Sequence, residues 1–223
     1  DDDIVAEHVI SATGIFARRS PLARYVTVPS AVITHQYIVT DTVEAIRERR
    51  QDALPRLPIL RQPDISLNVR EEGEGLFVSV YEPHARASFP QGVPNDFSMQ
   101  LLPGNFDGLE SQFQAAIDRV PCLGHSGIKT VVNGPMPWSP DFFPALGPVS
   151  GLRNAWMAEG VSYGVTWSGG VGELLAGWIT QGEPGRDVSL FDCRRFDAQA
   201  DFNAIDTQAT AAYLGSYNTQ STN

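Results

Sequence analysis

The sequence predicts an α+β protein in which a mixed, largely antiparallel sheet is flanked by helices. β-branched and aromatic runs such as "AVITHQYIV" at residues 31–39 are typical of buried strands. Two other stretches have the apolar spacing of amphipathic helices. Strands and helices do not alternate regularly along the chain, which disfavours a doubly wound parallel sheet.

The N-terminal part predicts two strands and a helix. Residues 4–10 are apolar and lead into a tight turn at "SATG", and residues 31–39 follow as a well-buried strand. In "TDTVEAIRERRQDALP", Asp41 stands at an N-cap position and Pro55 ends the predicted helix.

The middle of the chain predicts a hairpin and a second helix. "ISLNV" at 65–69 and "GLFVSVY" at 75–81 are strand-like and are joined by "REEGE", so an antiparallel pair is expected. The helix would begin at a cap formed by Asn105 or Asp107 and end near Val120.

The next part predicts strands around an irregular segment. "IKTVVNG" at 128–134 and "NAWMAEG" at 154–160 have strand composition. Between them, "GPMPWSPDFFPALGPVSG" contains five prolines and is expected to be an extended loop.

The stretch "EGVSYGVTWSGGVGELLAGWI" predicts a glycine-rich turn that delivers the chain to a helix. Gly169, Gly170 and Gly172 crowd the turn, residues 174–179 have helical apolar spacing, and Gly182 stands at a C-cap position. The pattern is not a dinucleotide fingerprint, because leucine occupies the place of its third glycine. A weakly helical, polar tail follows from residue 197.

Composition limits the classes of partner. The chain has 223 residues, a formal net charge of −10 and only 16 Lys and Arg, which are scattered, so nucleic acid and anionic membranes are disfavoured. No apolar run approaches the ~20 residues of a membrane span. The two cysteines are too few for a disulfide framework, and no metal-binding motif occurs. A reducing compartment is expected, either the cytoplasm or, in a eukaryote, the mitochondrial matrix.

Several stretches together carry a resemblance to a known family. In chain order they are "VISATGIFAR", "THQYIVT", "LPILRQPD", "VREEGEGLFVSVYEP", "RVPCL", "VVNGPMPWSPDFFPALGP" and "GVSYGVTWSGGVGELLAGWITQGEP". They resemble flavin-dependent amine dehydrogenases and oxidases that act on dimethylglycine and sarcosine. The resemblance implies FAD as cofactor and a DAO-type, glutathione-reductase-like FAD fold.

The same resemblance implies a division of the chain into four parts. Residues 1–30 match the end of an FAD-binding domain with its last strand, and 31–135 match a substrate-binding domain. Residues 136–190 match flavin-contacting loops and a helix, and 191–223 form a tail. Family members carry GxGxxG in a nucleotide-binding half, which this chain lacks. We therefore expect a fragment whose activity needs a missing segment or a partner chain, with a folate-binding domain as a further possible partner.

Flavin contacts are implied at two places. The turn residues Ala12, Thr13 and Gly14 resemble a backbone contact to the cofactor. The glycine-rich helix start is implied to face the flavin pyrimidine edge, where the helix dipole and N–H donors stabilise charge on the reduced ring. The residues assigned there are Tyr163, Gly164, Val165, Thr166, Trp167, Gly169 and Gly170. The alternative is an ordinary turn before a buried helix.

Oxidation of an N-methyl amine needs a group that accepts the ammonium proton. His35 in "THQYIVT" matches the family's active-site histidine, and histidine exchanges protons near neutral pH. The alternative is a hydrogen-bonded core histidine. Asn68, our second catalytic candidate, stands with Leu67 where the family has a tyrosine pair, and it cannot act as a phenolic acid or base. Ser79 replaces part of a glycine-containing turn, and Trp167 stands where histidine is common.

Substrate contacts are expected from arginine and aromatic side chains. Arg70 and Arg61 could bind a substrate carboxylate, whereas surface positions are the alternative. Tyr81 and Trp138 could form a wall around a methylated nitrogen, although core packing explains both equally well. Glu82 matches a glutamate of the family and is expected to be structural rather than catalytic.

Three functions follow as hypotheses. The first is oxidation of an N-methylated or secondary amine by hydride transfer to flavin. The second is a non-catalytic flavoprotein subunit or binding module that has lost turnover, motivated by the Leu67–Asn68 departure. The third is another enzyme of the same fold, such as an amino-acid or polyamine oxidase.

Overall fold

The computed structural model describes residues 4–199 and 201–216. The strands are β1 (Val9–Ser11), β2 (Ala31–Thr40), β3 (Leu60–Gln62), β4 (Leu67–Glu72), β5 (Gly75–Val80), β6 (Ala87–Ser88), β7 (Ile128–Trp138), β8 (Ala145–Pro148) and β9 (Ala155–Glu159). The α-helices are α1 (Glu44–Gln51), α2 (Glu110–Arg119), α3 (Gly164–Gln181) and α4 (Phe202–Gly215). Mixed, mostly antiparallel sheets with flanking helices confirm the predicted α+β class.

Contacts divide the chain into two compact units. Unit 1 contains the residues up to Ile33, Arg86–Ser98 and Met136–Tyr213, and unit 2 contains Thr34–Ala85, Met99–Pro135 and the residues from Leu214. The division falls inside β2 and inside β7. Residues 31–33 and 86–98 therefore belong with unit 1 and the rest of 31–135 with unit 2, while the division into FAD-side and substrate-side parts stays a prediction.

Unit 2 is built on an antiparallel sheet in the order β3-β4-β5-β2. One face carries the buried side chains of the hydrophobic core, because side chains alternate between the two faces of a strand. The core residues of the sheet are Ile38, Leu67, Val69, Leu76, Val78 and Val80, and Ile46 of α1 and Ala116 of α2 pack in the same cluster. The other face carries side chains that are mostly only partly buried, with Ser79 as a buried exception.

Unit 1 contains a small sheet in the order β1-β9-β8, with β1 parallel and β8 antiparallel to β9. Leu175 and Trp178 of α3 pack on Leu146 and Trp156 of this sheet. Gly147 lies against the Trp178 ring with φ at +111°, a combination that only glycine accommodates easily.

The terminal helix α4 is anchored in unit 1 by apolar and charged contacts. Ile205, Ala209 and Tyr213 are buried on one side of it. The guanidinium of Arg18 pairs with Asp206, and its Nε and Nη1 donate to the carbonyls of Ser30 and Pro90 at 2.9 Å. The prediction of a weakly helical, polar tail therefore misses the buried side of α4. The last residues of the predicted tail, 217–223, lie outside the described residues.

The glycine-rich turn predicted before a helix at 174–179 is wrong. α3 begins at Gly164, so Gly169, Gly170 and Gly172 lie inside the helix rather than in a loop before it. Each glycine in a helix interior makes the free energy of the helix about 1 kcal/mol less favourable than alanine would. The packing of Leu175 and Trp178 outweighs this cost. The predicted C-cap is confirmed, because Gly182 is left-handed with φ at +82°.

The extended loop predicted at 134–151 is also corrected. β7 continues through Trp138, and β8 spans Ala145–Pro148, so half of the proline-rich stretch lies in strands. β7 pairs with β2 outside the main strand order. Strands accommodate proline at positions where no N–H donor is needed.

Element ends differ from the predictions in smaller ways. The N-cap of α1 is Val43, and the Asp41 N–H donates instead to the Gly127 carbonyl at 2.9 Å. The N-cap of α2 is Leu109, whereas Asn105 forms a local turn in which its side chain accepts from the N–H of Asp107. The first strand is limited to Val9–Ser11, and the β4–β5 connection shortens to two residues.

Candidate functional site

The partly buried face of the unit 2 sheet brings several candidate residues together. His35 and Tyr37 point away from the core residue Ile38, because they alternate with it along β2. Tyr37 pairs with Ser79, and Ser79 pairs with Asn68, so these side chains share one face. By the same alternation and register, this face also carries Arg61, Arg70 and Tyr81.

His35 is held by hydrogen bonds at both ring nitrogens. Its Nδ1 lies 3.1 Å from Oε2 of Glu82, and its Nε2 lies 3.0 Å from Oγ of Ser79. The other Glu82 oxygen accepts from the Gln36 N–H at 2.9 Å. The Tyr81 ring stacks obliquely beside the imidazole, with centroids 4.6 Å apart. The ring of His35 is therefore fixed in orientation by groups from β2, β5 and the residues after β5.

Arg70 lies on the same face but is engaged at the surface. Its guanidinium pairs with Glu72 at 2.9 Å and stacks over the Phe77 ring at 4.7 Å. Both charged side chains are more than two-fifths exposed. This placement favours the surface alternative over carboxylate binding.

The turn after β1 is organised around a buried carboxylate. Glu159 is fully buried at the end of β9, and its Oε1 accepts from Ser11 Oγ at 2.7 Å, Thr13 N at 3.0 Å and Thr13 Oγ1 at 2.8 Å. Its Oε2 accepts from Gly14 N at 3.1 Å. Burial raises the pKa of Glu159, and the hydrogen bonds lower it in part. The amides of Thr13 and Gly14 therefore already have a partner, whereas Ala12 is exposed.

The start of α3 fits a group that carries partial negative charge. Tyr163 is the N-cap residue, but its side chain does not cap the helix, so the first-turn amides have no side-chain acceptor. A Cβ on Gly164 would meet no atom within 4 Å, which leaves space at the helix tip. The buried hydroxyl of Ser162 has no hydrogen-bond partner among the described residues. These donors suit the electron-rich edge of a flavin.

The assigned residues of α3 point in different directions. Val165 is 97% exposed, whereas Thr166, Trp167 and Gly170 line a cavity of about 420 Å³ within unit 1. The amides of Gly169 and Gly170 lie inside the helix, where N–H groups bond to the preceding turn. Of the seven assigned residues, Gly164, Val165 and Thr166 have first-turn amides, which lack a partner within the helix.

Trp138 is placed in an aromatic cluster of unit 1. It is fully buried, and its ring packs against Phe142, Tyr163 and Tyr213 at centroid distances of 5.1–6.3 Å. Its indole N–H has no acceptor among the described residues. This environment favours the core-packing alternative over an exposed substrate wall.

Two residues that organise these sites have no role predicted from the sequence, although Ser79 is a departure from the family pattern. Ser79 and Glu159 are small or buried polar groups in strands, and each contacts a candidate site residue. The hairpin register, which pairs Ser79 with Asn68, is the signal that could have revealed Ser79. No comparable sequence signal links Glu159 to a turn 145 residues away.

A family model described as FAD dependent oxidoreductase matches residues 1–178. The chain belongs to this FAD-dependent oxidoreductase family. The FAD cofactor expected from the resemblance is therefore confirmed at the level of the family.

Two curated relatives of this FAD-dependent oxidoreductase chain are mitochondrial enzymes. Mitochondrial dimethylglycine dehydrogenase of Mus musculus is 32% identical over 213 residues, covering 93% of this chain and 24% of the relative. Mitochondrial sarcosine dehydrogenase of Mus musculus is 33% identical over 189 residues, covering 84% and 20%. The chain thus spans a quarter or less of the length of either relative.

The fold is shared with solved flavoenzyme structures. L-proline dehydrogenase from P. horikoshii superposes with a TM-score of 0.62 at 19% identity, over 86% of this chain and 47% of that chain. Across residues 4–199 and 201–216, none of the helices has the length and apolar character needed to cross a membrane.

Proposed function

We propose that the complete protein oxidises an N-methylated or secondary amine of the dimethylglycine or sarcosine type by hydride transfer to FAD. The observation that carries this proposal is the pairing of His35 with Glu82 on the partly buried face of unit 2. A histidine oriented by a carboxylate is a suitable proton acceptor near neutral pH. Family membership and the two N-methyl amino-acid dehydrogenases among the relatives support the substrate class.

His35 has the role of taking up the proton of the substrate ammonium. The amine nitrogen must hold a free electron pair before its carbon can lose a hydride, and the bound flavin supplies the acceptor for that hydride. Asn68 lies on the same face and can donate or accept one hydrogen bond from a polar substrate group. Tyr81 offers an aromatic face beside His35, which suits a methylated cation.

Cofactor contacts are proposed at the first turn of α3. The free amides of Gly164, Val165 and Thr166 would hold the electron-rich ring edge, with the Ser162 hydroxyl as a further donor. At the turn after β1, Ala12 can contribute backbone atoms, since Glu159 occupies the amides of Thr13 and Gly14. The nucleotide half with GxGxxG would come from another segment of the complete protein or from a partner chain, and a folate-binding domain is a further candidate partner.

The test is anaerobic reduction of the flavin in the complete protein by sarcosine and dimethylglycine. We expect bleaching with at least one of them and a loss of about 100-fold or more in rate for His35→Ala, because general-base groups contribute about 10²–10⁴-fold. His84→Ala is the matched control, since His84 is an exposed histidine of the same unit. A protein of full length that purifies without flavin would contradict the proposal.

The second candidate is a non-catalytic flavoprotein subunit, and Asn68 is the residue that favours it. An amide in place of a tyrosine removes an acid–base group from the site. A protein that keeps the fold but has lost catalytic turnover would show this change. In that case no tested amine would bleach the flavin, and His35→Ala would leave every other property unchanged. Measuring flavin reduction by amino acids and polyamines distinguishes the proposed function from the third hypothesis, an amino-acid or polyamine oxidase of the same fold.

A further inference from the structure

Ser79, His35 and Glu82 form a continuous hydrogen-bonded chain within unit 2. The Ser79 Oγ to His35 Nε2 distance is 3.0 Å, and the His35 Nδ1 to Glu82 Oε2 distance is 3.1 Å. Glu82 is in turn fixed by the backbone N–H of Gln36 at 2.9 Å. Both imidazole nitrogens are thus occupied by protein groups.

The partners of the ring determine where its proton sits. An ionised carboxylate can only accept, so Nδ1 carries the hydrogen that is donated to Glu82. Nε2 then holds the free electron pair and accepts from the Ser79 hydroxyl. The basic nitrogen of His35 is consequently covered by Ser79, and that hydroxyl offers a route by which a proton can reach it.

Ser79 also has a defined neighbour on the open side of the sheet. It pairs with Asn68 across the β4–β5 ladder, and such cross-strand pairs have Cβ atoms about 5 Å apart. Ser79 itself is only 4% exposed, whereas Asn68 is partly exposed. A serine oxygen can accept a hydrogen bond while its own hydrogen is donated. The hydroxyl therefore contacts His35 and shares its sheet face with the partly exposed Asn68.

We propose that Ser79 relays the substrate proton to His35 and that Glu82 is the positioning residue that fixes the imidazole for this transfer. The proposal rests on the amine-oxidising function proposed above. An N–H bond of the substrate ammonium breaks and its proton goes to Ser79 Oγ, while the original Ser79 proton goes to His35 Nε2. The substrate nitrogen keeps the electron pair, Ser79 ends as a neutral hydroxyl, and the new imidazolium is balanced by the Glu82 carboxylate.

The kinetic test measures anaerobic flavin reduction by sarcosine across pH for Ser79→Ala, Glu82→Gln and the wild-type complete protein. At neutral pH we expect Ser79→Ala to lose about 10²-fold in rate. The loss should disappear above the pKa of the amine, about 10, because the amine then arrives without its proton. Ser111→Ala, an exposed serine of the same unit, is the control and should match the wild type.

Three outcomes decide the relay. A rate for Ser79→Ala equal to or above that of the wild type at neutral pH would overturn it, because the hydroxyl would then be inert or would block the base. An equal loss at every pH would indicate structural damage and would also overturn it. If wild-type flavin is reduced and only His35→Ala fails, the proposed function stands while the relay falls.

A second measurement does not depend on activity. Nitrogen-15 NMR of histidine-labelled complete protein distinguishes the two imidazole tautomers, with the His35 signals identified by their loss in His35→Ala. We expect the Nδ1–H form in the wild type and in Ser79→Ala, and a mixture of tautomers in Glu82→Gln. An Nε2–H form in the wild type would overturn the assignment of Glu82, and absence of flavin reduction by any amine in the wild type would overturn the proposed function together with the relay.

Discussion

Asn68 and Ser79 are direct cross-strand partners on β4 and β5, so an amide and a hydroxyl lie side by side next to His35. The family resemblance places a tyrosine pair at Leu67 and Asn68 and a glycine-containing turn at Ser79. The two departures are therefore adjacent in the fold, although they are 11 positions apart in the sequence. They modify one site together rather than two sites independently.

Restoring the aromatic hydroxyl should test whether the Asn68 departure weakens the site. We expect Asn68→Tyr to raise the neutral-pH rate of flavin reduction by about tenfold or more, because a phenol restores a second proton-exchanging group. Asn68→Phe is the control, since it supplies the ring without the hydroxyl. Equal rates for both variants would show that ring packing, rather than the phenol, matters.

Glu159 should make the stability of unit 1 depend on pH. Its pKa is raised above the usual 4.5, so its stabilising contribution is fully present below that value and is lost as pH rises through the folded pKa. Glu159→Gln removes this titration and sets an amide against the Gly14 N–H, at a cost of about 1–3 kcal/mol. We expect the thermal deficit of the variant to shrink as the pH rises above 4.5. A deficit that widens over this range would contradict the direction of the shift.

Gly147 should be among the positions least tolerant of a side chain. A Cβ there would lie 2.7 Å from the Trp178 ring, and the backbone has φ at +111°. Strain and overpacking together predict a loss of about 2–5 kcal/mol for Gly147→Ala in thermal or denaturant unfolding. Gly151→Ala is the control, because Gly151 also has a positive φ of +75° but has open space around its Cα. We expect this variant to lose only about 1 kcal/mol of unfolding free energy. Similar losses of stability in the two variants would show that the contact with Trp178 does not matter.

The Arg18–Asp206 pair should stabilise unit 1 far more than a surface pair does. The two side chains are only 5% and 16% exposed, so removing one charge leaves the other buried without a partner. We expect Arg18→Met to cost about 3–5 kcal/mol in unfolding free energy. Arg186→Met breaks an exposed pair with Glu173 and should cost less than about 1 kcal/mol. A small effect of Arg18→Met would show that α4 contributes little to the unit.

Local patterns in the sequence predicted the sheet of unit 2 well. Alternation along β2 and the composition of β4 and β5 identify the strands, and their register then places His35, Asn68 and Tyr81 on one face. The start of α3 could not be predicted in this way. Glycine content suggests a turn, and only the tertiary anchoring of Leu175 and Trp178 makes the segment helical.

Contacts between distant segments were also beyond sequence patterns. Glu159 meets the Ser11–Gly14 turn across 145 or more positions, and the residues between them give no periodic signal for that contact. Trp138 illustrates the same limit for an aromatic residue. From the sequence, Trp138 could line a substrate site or pack in the core. Its complete burial against Tyr213 decides for the core position.

The two cysteines differ in a way that makes selective labelling practicable. Both are free thiols, but Cys193 is buried, with its pKa raised by burial to about 12, whereas Cys122 is only partly buried. The thiolate is the form that attacks thiol reagents, so Cys193 should resist them at neutral pH. Within this chain, Cys122 therefore offers a natural attachment point for a fluorophore or spin probe on unit 2, with no need to engineer out its buried counterpart.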